Sequence, residues 1–135
     1  MNELIKVAKT WLATPFVAGA SLKGHGCDCA GFLEGLFAEL GHKVPSRAGL
    51  NLFQGLESAD FLIDSDEPQI GGILLLQGAA NGDEIQEFHS AILIENNMII
   101  HAHWTRGVVQ NRFGNWFRNR LYKSYRYLGQ ENWQL

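Results

Sequence analysis

The chain has 135 residues, of which 46% are hydrophobic and 19% are charged. These values predict a single folded domain over residues 1–135 and exclude an intrinsically disordered chain. The net charge of −3 argues against a nucleic-acid partner, although residues 104–130 carry six Lys and Arg and no acidic residue. We interpret that basic segment as a half-buried strand with solvated cations rather than as a surface for an anionic polymer.

The sequence contains no signal for a membrane or for secretion. No apolar run approaches the ~18 residues that a membrane span needs, and the N-terminus lacks the regions of a signal peptide. A disulfide between Cys27 and Cys29 would close almost no loop. We therefore expect a chain that is made in the cytoplasm, without a membrane partner, a structural disulfide or a cofactor.

The first predicted helix occupies the N-terminus. Asn2 is a suitable N-cap, and we expect the helix to run to about Leu12, before Thr14-Pro15 ends it. Its predicted apolar stripe consists of Leu4, Ile5, Ala8 and Leu12. Residues 19–26 are rich in glycine and are predicted as a loop.

The second predicted helix runs from Cys29 to about Leu40, with Asp28 as its N-cap. One face is apolar and predicts deep packing; it consists of Phe32, Leu33, Leu36, Phe37 and Leu40. Gly31 and Gly35 lie inside this helix, where each costs up to ~1 kcal/mol relative to Ala. Their presence predicts that another backbone or a ligand approaches the helix closely.

The rest of the chain is predicted as one more helix followed by strands. The third helix begins at a Ser46 cap and runs to about Leu56, and residues 60–68 form an irregular connection. The strand candidates are Ile73–Gln77, Phe88–Ile94, Met98–His103, a short segment at Val108-Val109, and Leu121–Leu128. Helices first and strands later predict an α+β fold, with the N-terminal helices packed on a central antiparallel sheet.

Cys29 is the candidate nucleophile because it opens the second helix directly after a glycine-rich loop. The helix dipole favours the thiolate there, and the backbone N–H groups can hold a developing oxyanion. A cysteine taken alone is more often a small buried hydrophobe. Cys27 competes for the role, but it precedes the helix and lacks this position.

His89 and His101 are the candidate base and the residue that orients it, and the loop between their strands decides whether they meet. A two-residue Asn96-Asn97 turn places the two rings on opposite faces of the sheet. A three-residue loop that includes Glu95 places both on one face. The catalytic interpretation therefore requires the odd loop. His103 shares a face with His101 and competes with it.

Four segments together resemble the NlpC/P60 family of cysteine peptidases. The segment around Cys29 is similar to the Asp-Cys-Ser-Gly-Phe signature, and residues 89–94 to the His-Val-Gly-Ile-Tyr-Leu strand. Residues 100–102 match Ile-His-Ala, and residues 11–16 resemble Trp-x-Gly-Thr-Pro-Tyr. The Gly-x-Gly-Cys-Asp-Cys run and the basic, aromatic C-terminal segment are similar to the phage-type branch.

The resemblance implies a papain-like fold and hydrolysis of an amide bond in the stem peptide of peptidoglycan. It assigns Cys29 as nucleophile, His89 as base and His101 as the third polar residue. It also places Phe16, Asp28 and Ser90 at the substrate. Phe16 replaces a common Tyr hydroxyl, while Ala30 and Gly72 replace the usual Ser and Asp. Phage tail proteins are the expected partners, and a virion or lysis system is the expected route to the cell wall.

Three other interpretations remain open on the residues alone. A zinc site can draw on His25, Cys27, Cys29, His101 and His103, although Cys-x-Cys is not the common zinc spacing. A structural tail protein can keep the fold for assembly without catalysis. An acyltransferase shares the acyl-enzyme intermediate with a hydrolase and differs only in the acceptor.

Overall fold

A computed structural model describes residues 2–42, 51–78, 80–81, 84–85 and 88–129, with the backbone alone at 80–81 and 84–85. The helices are α1 (Glu3–Thr10), α2 (Cys29–Glu39), α3 (Leu52–Glu57) and α4 (Asn115–Arg118). The strands are β1 (Ser21–Leu22), β2 (Gly26–Cys27), β3 (Leu62–Ser65), β4 (Ile73–Gln77), β5 (Ala80–Asn81), β6 (Glu84–Ile85), β7 (Phe88–Ile94), β8 (Met98–His103), β9 (Gly107–Arg112) and β10 (Leu121–Tyr127). None of the helices in these ranges is long and apolar enough to cross a membrane.

Six strands form one antiparallel sheet in the order β3-β10-β4-β7-β8-β9. The short pairs β1-β2 and β5-β6 lie outside it. The sheet separates two apolar layers, because alternate side chains of a strand point to opposite faces. The larger layer packs α1 and α2 against one face, and the smaller layer packs Phe113 and Phe117 against the other. This arrangement confirms the predicted α+β fold, with helices on a central antiparallel sheet.

The start of α2 is fixed by its cap and by close backbone contacts. Asp28 accepts a hydrogen bond from the Gly31 N–H at 2.7 Å, as an N-cap does. A Cβ on Gly31 would lie 1.9 Å from the carbonyl oxygen of Ala20, and one on Gly35 would lie 2.3 Å from the Trp11 indole. The prediction that something approaches this helix closely is therefore confirmed, and the neighbours are protein atoms.

The strand predictions hold better than the helix ends. The bounds Ile73–Gln77, Phe88–Ile94 and Met98–His103 are confirmed, and the last strand ends at Tyr127, one residue earlier than predicted. The predicted fourth strand extends beyond Val108-Val109 to Gly107–Arg112.

Four predictions about the outer elements are wrong. The predicted loop over residues 19–26 contains strand β1 and the start of strand β2, which pair with each other. Helix α1 ends at Thr10, so Leu12 leaves the apolar stripe and is 37% exposed, while Trp11 is buried in its place. Helix α3 begins at Leu52 behind an extended Asn51 cap, and the proposed Ser46 cap lies outside the described residues. The connection over residues 60–68 contains strand β3, which is stabilised by hydrogen bonds to β10. The acidic sequence of this segment does not predict that pairing.

The close contact at Gly31 generates a stability prediction with a matched control. Gly31→Ala forces a methyl group against the Ala20 carbonyl, and we expect it to lower the free energy of unfolding by about 1–3 kcal/mol. Gly55→Ala, in α3, meets no atom within 4 Å and should raise it by up to about 1 kcal/mol. Urea denaturation of both variants measures this difference. Equal stability of the two variants would contradict the packing seen at α2.

Candidate active site

Cys29 is the first residue of α2, and the loop before it is held from several sides. Asp28 receives one backbone hydrogen bond from Gly31, within the helix, and one from Gly19 at 2.8 Å. The Cys29 side chain is partly exposed, unlike that of its neighbour Cys27. A thiol at this position experiences the positive end of the helix dipole, which favours the thiolate.

Cys27 occupies a different environment only two residues earlier. Its side chain is 0% exposed and belongs to the larger apolar layer. Its backbone joins the loop before it, because Cys27 N–H donates to the Pro15 carbonyl at 2.9 Å. Burial, helped by the charges of Asp28 and Cys29, raises the pKa of the Cys27 thiol to about 11. Cys27 therefore keeps its proton near neutral pH and serves as a packing residue.

The loop between β7 and β8 has the odd length that the catalytic interpretation required. Ile94 pairs with Met98 and Ile92 with Ile100, which leaves residues 95–97 as the loop. Asn96 and Asn97 adopt positive φ angles of 63° and 58°, a conformation that asparagine tolerates. His89 and His101 consequently point to the same face of the sheet.

The two imidazoles form a buried pair. His89 Nε2 and His101 Nδ1 lie 2.9 Å apart in a hydrogen bond, with the rings nearly perpendicular at 81°. His89 is 8% exposed and His101 is 3% exposed. Because Nε2 of His89 is engaged by His101, Nδ1 is the nitrogen that remains for a proton-transfer partner.

A third side chain extends the pair and was not predicted. His101 Nε2 lies 2.6 Å from Asn111 Oδ1, on β9. Asn111 pairs across the ladder with Ile99, and His101 pairs with Val109, so the two side chains are diagonal neighbours on one face. Only the β8–β9 register reveals this contact, because Asn111 lies outside the sequence motifs around Cys29, His89 and His101.

Burial keeps the pair neutral. Removal from water, together with the nearby His101 and His103, lowers the pKa of His89 to about 3. Burial also lowers the pKa of His101, while the hydrogen bond to Asn111 acts in the opposite direction. Near neutral pH both rings are therefore uncharged, as a base that accepts a proton must be.

The first turn of α2 lies at the same end of the sheet as the histidine pair. The Ser90 hydroxyl points to the Cys29 carbonyl oxygen at 3.5 Å, and Ser90 directly follows His89 in β7. Because Ser90 and His89 are adjacent in β7, this contact brings the first turn of α2 to the end of the strand that carries His89. Ser90 thus seats the helix start on the strand that carries the candidate base.

The three predicted substrate residues surround this helix start. Phe16 is half-buried, packs against the larger apolar layer and bridges to Cys27. Ser90 is 1% exposed. The carboxylate of Asp28 is engaged by the backbone as described above. All three position the start of α2, and their contact with a substrate stays a prediction.

The competing assignments find less support in the geometry. His103 Nδ1 accepts hydrogen bonds from the N–H groups of Thr105 and Arg106, each at 3.2 Å, so this ring closes the turn after β8 rather than joining the pair. Over the described ranges no three His, Cys, Asp or Glu side chains come together as a metal-binding group.

The lowered pKa of His89 predicts an acid-sensitive fold. An unfolded histidine titrates near 6.5, so between that pH and about 3 the unfolded chain binds a proton that folded His89 refuses. Neutral His89 therefore makes its full contribution to the free energy of unfolding above pH 6.5. This contribution is lost as the pH falls toward 3, at up to about 1.4 kcal/mol per pH unit. In urea titrations across this window, His89→Gln should flatten the pH dependence of the free energy of unfolding. Parallel curves for wild type and His89→Gln would contradict the burial of a neutral His89.

Comparison with known proteins places the chain in a family. The model of the NlpC/P60 family matches residues 13–132. No curated protein matches the chain. An NlpC/P60 family protein from Bacillus cereus ATCC 10987 superimposes with a TM-score of 0.69 and 21% identity over 93% of this chain and 39% of its own. The NlpC/p60 domain of the peptidoglycan hydrolase SagA gives a TM-score of 0.64 and 23% identity over 90% of this chain and 94% of its own.

A lipoprotein-like NLP/P60 family protein from Staphylococcus aureus Mu50 also shares the fold, with a TM-score of 0.67 and 20% identity over 96% of this chain. The chain spans only 41% of that protein and 39% of the B. cereus protein. At these identities the structures establish the common fold, while the family model covers most of the sequence. The chain therefore belongs to the NlpC/P60 family.

Proposed function

We propose that this protein hydrolyses an amide bond in the stem peptide of peptidoglycan, with Cys29 as nucleophile, His89 as base and His101 as the residue that orients the base. The observation that carries the proposal is the buried His89–His101 pair at the end of the sheet where α2 begins. Family membership supports the substrate class. SagA, whose NlpC/p60 domain has a similar fold, is a peptidoglycan hydrolase.

The proposed reaction has two halves. His89 Nδ1 takes the proton from the Cys29 thiol, and the thiolate sulfur attacks the carbonyl carbon of the scissile amide. The tetrahedral intermediate collapses as His89 returns its proton to the amide nitrogen, so the C–N bond breaks and the amine leaves. A water molecule, deprotonated by the same His89, then attacks the thioester and releases the carboxylate and the thiol.

The environment of each group suits its proposed step. A neutral His89 can accept a proton, and its burial keeps it neutral at physiological pH. The helix start favours the thiolate, and its N–H groups favour the oxyanion of the intermediate. The buried Cys27 thiol is unsuited to attack because its raised pKa holds the proton.

We further propose that the protein is made in the cytoplasm and reaches the cell wall with a phage tail or a related particle. The likeness of residues 24–29 to the phage-type branch supports this route. Copurification of the protein with intact particles, and its loss from tail-less particles, would test it. An acyltransferase on the same site would replace water by an amine, and mass spectrometry of the products distinguishes the two reactions.

The nucleophile assignment predicts opposite outcomes for the two cysteines. Cys29→Ala should abolish cleavage of purified muropeptides, since no other thiol is placed to attack. Cys27→Ala removes only a buried packing residue and should keep most of the activity. Mass spectrometry of the digests identifies the bond that is cut, and thermal denaturation shows whether both variants fold. Turnover by a folded Cys29→Ala variant would refute the assignment.

The base assignment predicts a bell-shaped dependence of kcat/KM on pH. Activity falls on the acid side when His89 becomes protonated and can no longer accept the thiol proton. Because burial lowers the pKa of His89, the midpoint of this acid limb should lie below pH 6.5. Initial rates at subsaturating substrate give the profile. A midpoint at or above pH 6.5 would show that another group, or a solvated histidine, controls the reaction.

A further inference from the structure

Asn111 completes a directed chain of hydrogen bonds that ends at the candidate base. Its Oδ1 lies 2.6 Å from Nε2 of His101, and Nδ1 of His101 lies 2.9 Å from Nε2 of His89. Each neutral imidazole has one nitrogen that donates and one that accepts. The identity of the atom at one end of the chain therefore decides where every hydrogen in it lies.

The carbonyl oxygen of Asn111 can only accept, so the hydrogen of His101 lies on Nε2. Nδ1 of His101 is then an acceptor, and the hydrogen of His89 must lie on Nε2 to satisfy it. This leaves a lone pair on Nδ1 of His89. The opposite arrangement would put a hydrogen on that nitrogen, and the ring could no longer accept a thiol proton.

We propose that Asn111 is a positioning residue that sets the tautomers of His101 and His89, so that Nδ1 of His89 is held ready as the base. This inference rests on the proposed function for its catalytic meaning, but the arrangement of hydrogens is independent of any substrate. Asn111 touches neither the scissile bond nor Cys29 in this scheme, and it acts only through His101.

Among the side chains around His101, Asn111 is the one that selects the tautomers of the two imidazoles. The side chains that face His101 are His89 from β7, His103 from β8, Arg106 from the turn after β8, Asn111 from β9 and Phe117 from α4. His103 Nδ1 accepts hydrogen bonds within the turn, and Phe117 contributes an apolar aromatic ring at a centroid distance of 5.3 Å. Arg106 repels a proton on His101 without selecting a tautomer.

Removing the acceptor should release the tautomers. Asn111→Leu has nearly the same volume but offers no lone pair, so a part of the population should carry the hydrogen on Nδ1 of His89. We expect kcat to fall by about tenfold to a hundredfold with little change in KM, which is at or below the lower end of the 10²–10⁴ that a positioned base contributes. Asn111→Asp keeps an acceptor and should retain most of kcat, while its charge moves the acid limb of the profile to higher pH.

Gln110→Leu is the matched control on the same strand. Gln110 is exposed and points to the opposite face of the sheet from Asn111, so the same change in polarity there should leave kcat, KM and the pH profile unchanged. A purely structural role for Asn111 would lower the activity of Asn111→Asp as much as that of Asn111→Leu, without moving the acid limb. That outcome would overturn the proposal.

A measurement on the wild-type protein tests the inference without any variant that has to fold. Long-range ¹H–¹⁵N correlation spectra near neutral pH report which ring nitrogen carries the hydrogen. We expect Nε2 for both His89 and His101. A hydrogen on Nδ1 of either ring would overturn the proposal. If the tautomers are as expected but wild type cleaves no muropeptide, the proposed function fails while the role of Asn111 in ordering the pair stands.

Discussion

The register of the β7–β8 hairpin is the constraint on which the candidate site depends. Since side chains alternate between the faces of a sheet, a change of one residue in the loop would move His101 to the other face and separate it from His89. Two consecutive asparagines with positive φ angles close the loop at three residues. The same register directs Ile92 and Ile100 into the larger apolar layer. Burial of that layer and formation of the histidine pair therefore favour the same pairing of β7 with β8.

The helix that carries Cys29 is placed by backbone contacts rather than by its apolar face alone. The hydrophobic effect is non-directional, whereas the close approach of the Ala20 carbonyl to Gly31 fixes a particular geometry. Asp28 ties this helix to the loop at Gly19, and Ser90 ties it to β7. The two glycines lower the intrinsic stability of the helix, but they permit the close contacts that define the position of the thiol relative to the sheet.

Cys27 and Cys29 show how strongly environment determines the chemistry of one residue type. The first is enclosed in the larger apolar layer beside Asp28, and both burial and charge disfavour its thiolate. The second stands at a helix start with its side chain partly exposed. The two histidines of β8 also differ in their surroundings. His101 hydrogen-bonds to the half-buried Asn111, whereas His103 hydrogen-bonds within its own turn.

The elements with strong local signals could be predicted from the sequence. Cap residues and apolar periodicity placed the start of α2 at Cys29, and runs of β-branched and aliphatic residues gave the bounds of β4, β7 and β8. The sequence also showed that His89 and His101 share a face of the sheet only if the loop between their strands has an odd number of residues. Tertiary structure decided what depends on partners distant in the chain, namely strand β3, the exposure of Leu12 and the contact between His101 and Asn111. Local signals cannot supply these, because the register of paired strands is set by packing between segments that are far apart in sequence.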